Sequence, residues 1–195
     1  MQLENLDTNI IGKTFVYYDK IDSTQKEIWR LIDNKKIKNG QLVMAGIQTD
    51  GIGTHGRKWH TDENRNIAFS FYVEVNSKLK NIEGITIDLA RIIVEIFKTE
   101  YHINLQIKEP NDIMCNNKKL GGILTEAKTC RGIVKYLVIG IGINTNKTSF
   151  PESIKNIATS VKKEFNISVD EMEFIKYFCK RIEQEIIKRS EKKWK

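Results

Sequence analysis

The chain has 195 residues, 40% of them hydrophobic and 29% charged, with two prolines, which suits one α/β-sized core and excludes a disordered, collagenous or low-complexity protein. Its formal net charge of +7 admits a nucleic-acid or an acidic protein partner, but the pairs Lys35-Lys36, Lys118-Lys119 and Lys162-Lys163 are scattered as solvated faces are. No apolar run approaches the roughly 20 residues of a membrane span, the N-terminus lacks a signal peptide's basic and apolar regions, and Cys115, Cys130 and Cys179 form no CxxC pair, so a cytoplasmic chain without disulfides or a zinc knuckle is expected.

Thr14 to Tyr18 is a β-branched and aromatic run that predicts a strand, and Thr24-x-x-Glu27 before Ile28, Leu31 and Ile32 predicts a helix opened by a capping box. Asn39-Gly40 ends that helix, and Gln41 to Thr49 predicts a strand running into a glycine-rich stretch at Gly51, Gly53 and Gly56. Ile67, Phe69, Phe71, Val73 and Val75 alternate with Ala68, Ser70, Tyr72 and Glu74, the period of two of a strand. From Ile85 the apolar positions Leu89, Ile92, Ile93, Ile96 and Phe97 take helical spacing. Ile113 to Cys115, then Asn116-Asn117, then Leu120 to Leu124 predicts a hairpin, because Asn tolerates the positive φ of tight turns. Tyr136 to Ile143 reads as a buried strand, and Ile175, Phe178, Cys179, Ile182 and Ile186 as the apolar face of a terminal helix opened by Asp170-x-x-Glu173. These elements make an α+β (mixed α/β) fold, a mixed, mostly antiparallel sheet with helices packed on it.

Four places at the ends of apolar runs combine glycine with polar or cationic residues. The first is Gln48-Thr49-Asp50-Gly51-Ile52-Gly53-Thr54-His55-Gly56-Arg57-Lys58-Trp59, whose glycines let backbone N–H groups surround an anion. It matches neither the dinucleotide fingerprint nor a P-loop, and by itself is equally well a surface loop. Lys108-Glu109-Pro110-Asn111-Asp112 is in isolation an ordinary polar turn. Lys119-Leu120-Gly121-Gly122-Ile123-Leu124 sets a cation beside two glycines in a strand, where glycine marks close approach of a ligand, and Gly140-Ile141-Gly142-Ile143-Asn144 repeats the pattern. Together they point to one site lined by backbone and cations. His55, His60 and His102 have no metal-ligand spacing.

The ordered set of motifs resembles the biotin protein ligases of the biotin and lipoate ligase superfamily. In that family a Ser-Thr-Asn opens the first helix, a loop of the form GRGRxGRxW binds biotin and its adenylate, and KWPND, KLxGIL and GIGIN follow. The matching segments are Ser23-Thr24-Gln25, Gly51 to Trp59, Lys108 to Asp112, Lys119 to Leu124 and Gly140 to Asn144, and Ala158-Thr159-Ser160-Val161 resembles the family's ATSL. The resemblance runs from about Ile11 to about Ile186 and implies a class II aminoacyl-tRNA-synthetase-like catalytic fold over residues 1–187, with a basic tail at 188–195. Only about a dozen residues precede the first strand, so neither the helix-turn-helix of bifunctional members nor the usual C-terminal SH3-like barrel is expected, and no specific DNA partner. Departures are Gln25 for asparagine, Ile52 and Thr54 for two arginines, and Glu109 for tryptophan.

The reaction the resemblance implies joins biotin to the α-phosphate of ATP, with Mg²⁺, and passes biotin from the mixed anhydride to a lysine of a biotin carboxyl carrier protein or domain, in acetyl-CoA carboxylase or another biotin-dependent carboxylase. Such chemistry needs positioning and positive charge rather than an enzyme nucleophile. By resemblance Lys119 is the catalytic cation, between biotin's carboxylate and the α-phosphate. Ser23, Thr24, Gln25, Gln48, Gly51, Ile52, Gly53, Thr54, Gly56, Arg57, Trp59, Gly121, Gly122 and Asn144 are expected to bind biotin or its adenylate. Lys108, Asn111 and Asp112 are expected near the nucleotide, with Mg²⁺ arriving on ATP near Asp112 and no dedicated protein metal site. A homodimer is compatible with the family. The alternatives are a non-catalytic or leaky biotinyl-adenylate-binding paralogue, a lipoate or octanoate ligase (although no RRxxGGG stretch is present), and a basic nucleic-acid-binding module.

Overall fold

The computed structural model describes residues 3, 6–61 and 65–190. Strand β1 (Phe15–Ile21) leads through helix α1 (Thr24–Asp33) to β2 (Leu42–Gln48), and β1 and β2 pair in parallel, as strands joined by a helical crossover can. A small hairpin, β3 (Gly51–Ile52) with β4 (Lys58–Trp59), closes around a single 3₁₀ turn at residues 54–56. Then come β5 (Asn66–Lys78), α2 (Leu79–Ile82), α3 (Ile85–Glu100), β6 (Gln106–Lys108), β7 (Asp112–Cys115), β8 (Lys118–Cys130), β9 (Ile133–Asn144), α4 (Val161–Phe165) and α5 (Glu171–Arg189). Seven strands form one sheet in the order β1-β2-β5-β9-β8-β7-β6, antiparallel apart from β1-β2. The mixed α+β expectation holds.

Alternation along the long strands divides the sheet into two faces. Phe69, Phe71, Ile139, Ile141 and Ile143 join Leu89, Ile93 and Phe97 of α3 and Phe174 and Phe178 of α5 in the main core, all at most 3% exposed. At roughly 1.5 to 3 kcal/mol for each fully buried large apolar side chain, this face dominates stability. On the other face α1 covers only one end, where Ile28 meets Val43, Tyr72 and Val138. The middle of that second face is left uncovered by helix, and there the strands carry small residues.

Local signals explain most boundaries. Asn116 and Asn117 both take positive φ, 48° and 61°, in the turn between β7 and β8, as the hairpin reading requires. Asp170 caps α5 by accepting from the N–H groups of Met172 and Glu173. Helix α1 departs from expectation: its N-cap is Ser23, whose hydroxyl accepts from Lys26 N–H, because the Thr24 hydroxyl is engaged by Gln48 and Ser70. Helix α5 runs to Arg189, beyond the expected end of the domain at 187, and Arg189 donates to the carbonyls of Asn81 and Glu83. Of the expected basic tail, residues 191–195 lie outside the described residues.

Candidate functional site

Strand register places three rows of residues side by side across the second face. Ala68, Gly142 and Gly122 form one row, Ser70, Gly140 and Leu124 the next, and Tyr72, Val138 and Glu126 the third. The first two rows make a shallow floor where β5, β9 and β8 run together, since five of their six members are glycine, alanine or serine. The β3-β4 hairpin folds over it. Trp59 lies across Gly142 so closely that a Cβ there would stand 2.3 Å from the indole Cε2.

Two cavities result. The inner one, about 40 Å³, is bounded by the floor, by Ser23 and Gln25 of α1, by Gln48, and by Ile52, Gly53, Thr54 and Trp59 of the hairpin, with Asn111, Lys119 and Gly122 at its far side. The outer one, about 330 Å³, lies between the hairpin (Gly53, Thr54, Arg57, Lys58, Trp59 and His60) and the segment after β9 (Asn144, Lys147, Phe150, Ile154, Ile157 and Ala158). Gly53, Thr54, Trp59 and Lys119 border both. Lys119 therefore stands where the cavities meet.

Lys119 is held there from two directions. Its ammonium donates to Asp112 Oδ1 at 2.5 Å, and its backbone bonds in parallel to the chain at Ala158, N–H to the Ile157 carbonyl and carbonyl from Thr159 N–H. Gly122 makes room, since a Cβ there would lie 3.2 Å from Lys119 Nζ. An ammonium so placed can neutralise anions entering from either side. Gln48 is fixed by accepting from Thr24 N–H (2.8 Å) and hydroxyl (3.1 Å), and the Thr24 hydroxyl reaches Ser70 Oγ at 2.9 Å. Two buried polar atoms on the inner wall, Gln25 Oε1 and Trp59 Nε1, have no hydrogen-bond partner among the described residues. Buried polar groups are nearly always paired in folded proteins, so Gln25 Oε1 is an acceptor and Trp59 Nε1 a donor that a bound molecule can engage.

Several expected contact residues act on the shape of the site without lining it. Thr24 lies behind the wall, bonded to Gln48 and Ser70. Gly121 points away from the cavity toward Ile113, and a side chain there would press the Gly142 carbonyl at 3.0 Å. Gly51 permits close hairpin closure, with a Cβ 2.6 Å from the Trp59 carbonyl, and Gly56 supplies the positive φ of 71° at the turn. Lys108 is exposed on β6 and borders neither cavity; Asp112 reaches the site through Lys119. Arg57 borders the outer cavity while its guanidinium bonds back to Thr54 Oγ1 (2.8 Å) and carbonyl (3.2 Å). Asn111 donates to the Ile123 carbonyl and Asn144 to the Thr159 carbonyl, each at 3.0 Å.

Gly140 and Leu124 on the floor fall within the anticipated segments, whereas Ser70 on the floor, and Lys147, Phe150, Ile154 and Ile157 on the outer wall, were not anticipated as site residues. The floor residues carry a signal, small side chains on the polar phase of an alternating strand. The outer-wall residues sit in an irregular segment with no periodicity to read. Lys147 is 1% exposed, its ammonium 5.1 Å from the centre of the Phe150 ring.

Residues 17–144 match the model of the biotin/lipoate A/B protein ligase family. The chain is 37% identical over 167 residues to the bifunctional ligase/repressor BirA of Bacillus spizizenii, and 27% identical over 167 residues to the human biotin–protein ligase. These alignments cover 85% and 83% of this chain but 51% and 23% of those proteins, so the chain spans at most about half the length of either. Among solved structures, the biotin protein ligase from Aquifex aeolicus in complex with biotin and ATP superposes with a TM-score of 0.76 at 31% identity, over 92% of this chain and 73% of that one.

Proposed function

Because the chain belongs to the biotin/lipoate A/B protein ligase family, we propose that it is a biotin protein ligase, activating biotin as biotinyl-5′-AMP and transferring it to a carrier lysine. The observation that carries this reading is the position of Lys119 between an inner and an outer cavity. Biotin's ring system enters the inner one, which must widen from its 40 Å³ by movement of the β3-β4 hairpin to admit it, with biotin's carboxylate toward Lys119, and ATP the outer one, with the α-phosphate toward the same ammonium. A carboxylate oxygen attacks the α-phosphorus, the bond to the β-phosphate oxygen breaks, and pyrophosphate leaves. A carrier lysine amine then attacks the acyl carbon and AMP leaves. Lys119 lowers the repulsion between the two anions, and Asp112 keeps its ammonium in place.

Mg²⁺ arrives with the nucleotide in this reading. Among the described residues no group of three His, Cys, Asp or Glu could hold a metal, and Asp112 is the carboxylate beside Lys119 that fits a phosphate-borne ion. Such an ion would offset charge on the departing pyrophosphate. The carrier is a biotin carboxyl carrier protein or domain, of acetyl-CoA carboxylase or another biotin-dependent carboxylase, and the setting is the cytoplasm. No helix among the described residues is long and apolar enough to cross a membrane.

The test is mass spectrometry of a biotin carrier domain incubated with the protein, ATP, Mg²⁺ and either biotin or lipoate. Addition of a biotinyl group to one lysine, with pyrophosphate release, is expected. Transfer of lipoate alone, or no pyrophosphate from biotin and ATP, would refute the reading.

A further inference from the structure

The third row of the second face ends beside α1 in a cluster where Trp29 and Glu126, both outside the motifs of the sequence, meet Gln25. Glu126 Oε2 accepts from Gln25 Nε2 and from Trp29 Nε1, each at 2.7 Å. The second Nε2 hydrogen of Gln25 is directed at the Val138 carbonyl, 3.4 Å away. Both partners of the nitrogen are acceptors, so exchanging the amide's oxygen and nitrogen would set oxygen against oxygen at 2.7 Å. The amide has one admissible orientation. Gln25 is 2% exposed and borders the inner cavity, where its Oε1 faces Gly140 at a distance of 2.7 Å from the position a Cβ would take. That oxygen is the buried acceptor without a partner. Trp29 in turn packs on Tyr136, with ring centroids 6.2 Å apart, which ties the carboxylate's second donor to the smaller core.

We propose that Glu126, steadied by Trp29, locks Gln25 as a one-way acceptor, and that the inner cavity thereby selects a head group with a ring N–H donor and rejects one without it. The inference rests on the reading of the inner cavity as the acyl-acid site and adds the chemistry it recognises. A cyclic urea presents N–H to Gln25 Oε1. A dithiolane presents none and leaves the oxygen buried and unpaired, a state that folded proteins and their complexes avoid. Glu126 is a positioning residue, touching Gln25 and not the ligand. A glutamine free to turn its NH₂ inward would satisfy donors and acceptors alike and so would not discriminate.

Titration calorimetry on the intact protein tests this with biotin, lipoate and two biotin analogues, in each of which one ureido N–H is replaced by a ring oxygen. The native protein should bind biotin about ten- to a hundredfold more tightly than one of the two analogues. Gln25→Met keeps the length of the side chain but has no acceptor oxygen, and should bring that ratio to within about twofold of one. Glu126→Ala should reduce the same ratio by freeing the amide, and Glu126→Leu, which keeps the bulk but offers no acceptor to Gln25 Nε2, provides the measurement if the alanine variant does not fold. A merely structural role would weaken biotin and the analogue by the same factor and leave the ratio unchanged, and that result overturns the proposal. So does an unchanged ratio in a folded Glu126 variant, or equal native affinity for biotin and both analogues. Absence of any biotin binding by the native protein would instead refute the reading of the inner cavity itself.

Discussion

Gly142→Ala probes the fit between the β3-β4 hairpin and the sheet with a single methyl group. The φ of Gly142 is outside the left-handed region, so alanine adopts this backbone without strain, and the obstacle is the indole of Trp59. The added Cβ would lie 2.3 Å from Cε2 and 2.6 Å from Cζ2 and Nε1, where ordinary contact begins at 3.4 Å, so the ring must retreat by about 1 Å. Trp59 borders both cavities, and that retreat disturbs the wall they share. A misplacement of this size can cost on the order of a hundredfold in rate, and that is the expected loss in single-turnover pyrophosphate release. Stability should change by no more than about 1 kcal/mol, because glycine replacement at a compatible position contributes a few tenths in the opposite direction. Trp59→Ala alone should also slow the reaction, and the double variant should be scarcely slower than the worse single one, since both act on one contact. Undiminished pyrophosphate release from a folded Gly142→Ala protein, or losses that simply add, would refute the reasoning.

Lys119→Ala should lower adenylate formation by at least a hundredfold while thermal stability falls by under about 1 kcal/mol, because the Lys119–Asp112 pair is partly exposed; Lys119→Arg should rescue only in part, and unchanged single-turnover pyrophosphate release from the alanine variant would remove Lys119 from its role. Ile52 and Thr54 stand at the positions where the family loop has arginines, and each charge-assisted hydrogen bond absent there is worth about 1.5 to 3 kcal/mol, so Ile52→Arg with Thr54→Arg should slow escape of labelled biotinyl-adenylate by tenfold or more. Equal, slow release from the native and double-arginine proteins in a chase with unlabelled biotin and ATP would mean that Arg57 or Lys58 already retains the intermediate. Burial pushes the Glu171 carboxyl up from its ordinary 4.5 to about 7, although the Thr145 hydroxyl donates to it at 3.2 Å. The folded state thus holds a proton that the unfolded state releases between these values, so this group's contribution to stability falls as pH rises from about 4.5 to about 7, by roughly 3 kcal/mol at most. Glu171→Gln should therefore gain stability relative to the native protein over that window, and a difference in melting temperature that does not vary with pH would contradict the assignment.

The elements legible in the sequence are those whose periodicity is long or whose turn chemistry is local. The alternation from Ile67 to Val75 marks the central strand because one phase of it faces α3 and α5, and the Asn116-Asn117 hairpin follows from two residues that tolerate positive φ. The three-residue β6 and the four- and five-residue helices α2 and α4 are too short for periodicity, and strands β8 and β9 extend to Cys130 and from Ile133 because pairing with each other, not composition, carries them that far. The reading of Thr24 as a capping residue failed because a tertiary partner, Ser70, competes for its hydroxyl.

For the candidate site, the sequence by itself supplied the short segments that the fold brings around the two cavities. Glycines at Gly122, Gly140 and Gly142, a lysine at Lys119 and the hairpin from Gly51 to Trp59 are chemical identities that survive any arrangement of the chain. Only the tertiary structure decided which of these positions face the cavities. Gly121 and Gly122 are adjacent, yet the pleat turns one toward Ile113 and the other toward Lys119, and that phase is set by pairing with β9 and β7. The partnership of Gln25, Trp29 and Glu126 joins positions 97 and 101 residues apart, so no local pattern could disclose it. Side-chain type is a property of the chain, but the direction of an unpaired buried oxygen depends on which distant carboxylate claims its nitrogen, and folding alone brings the two together.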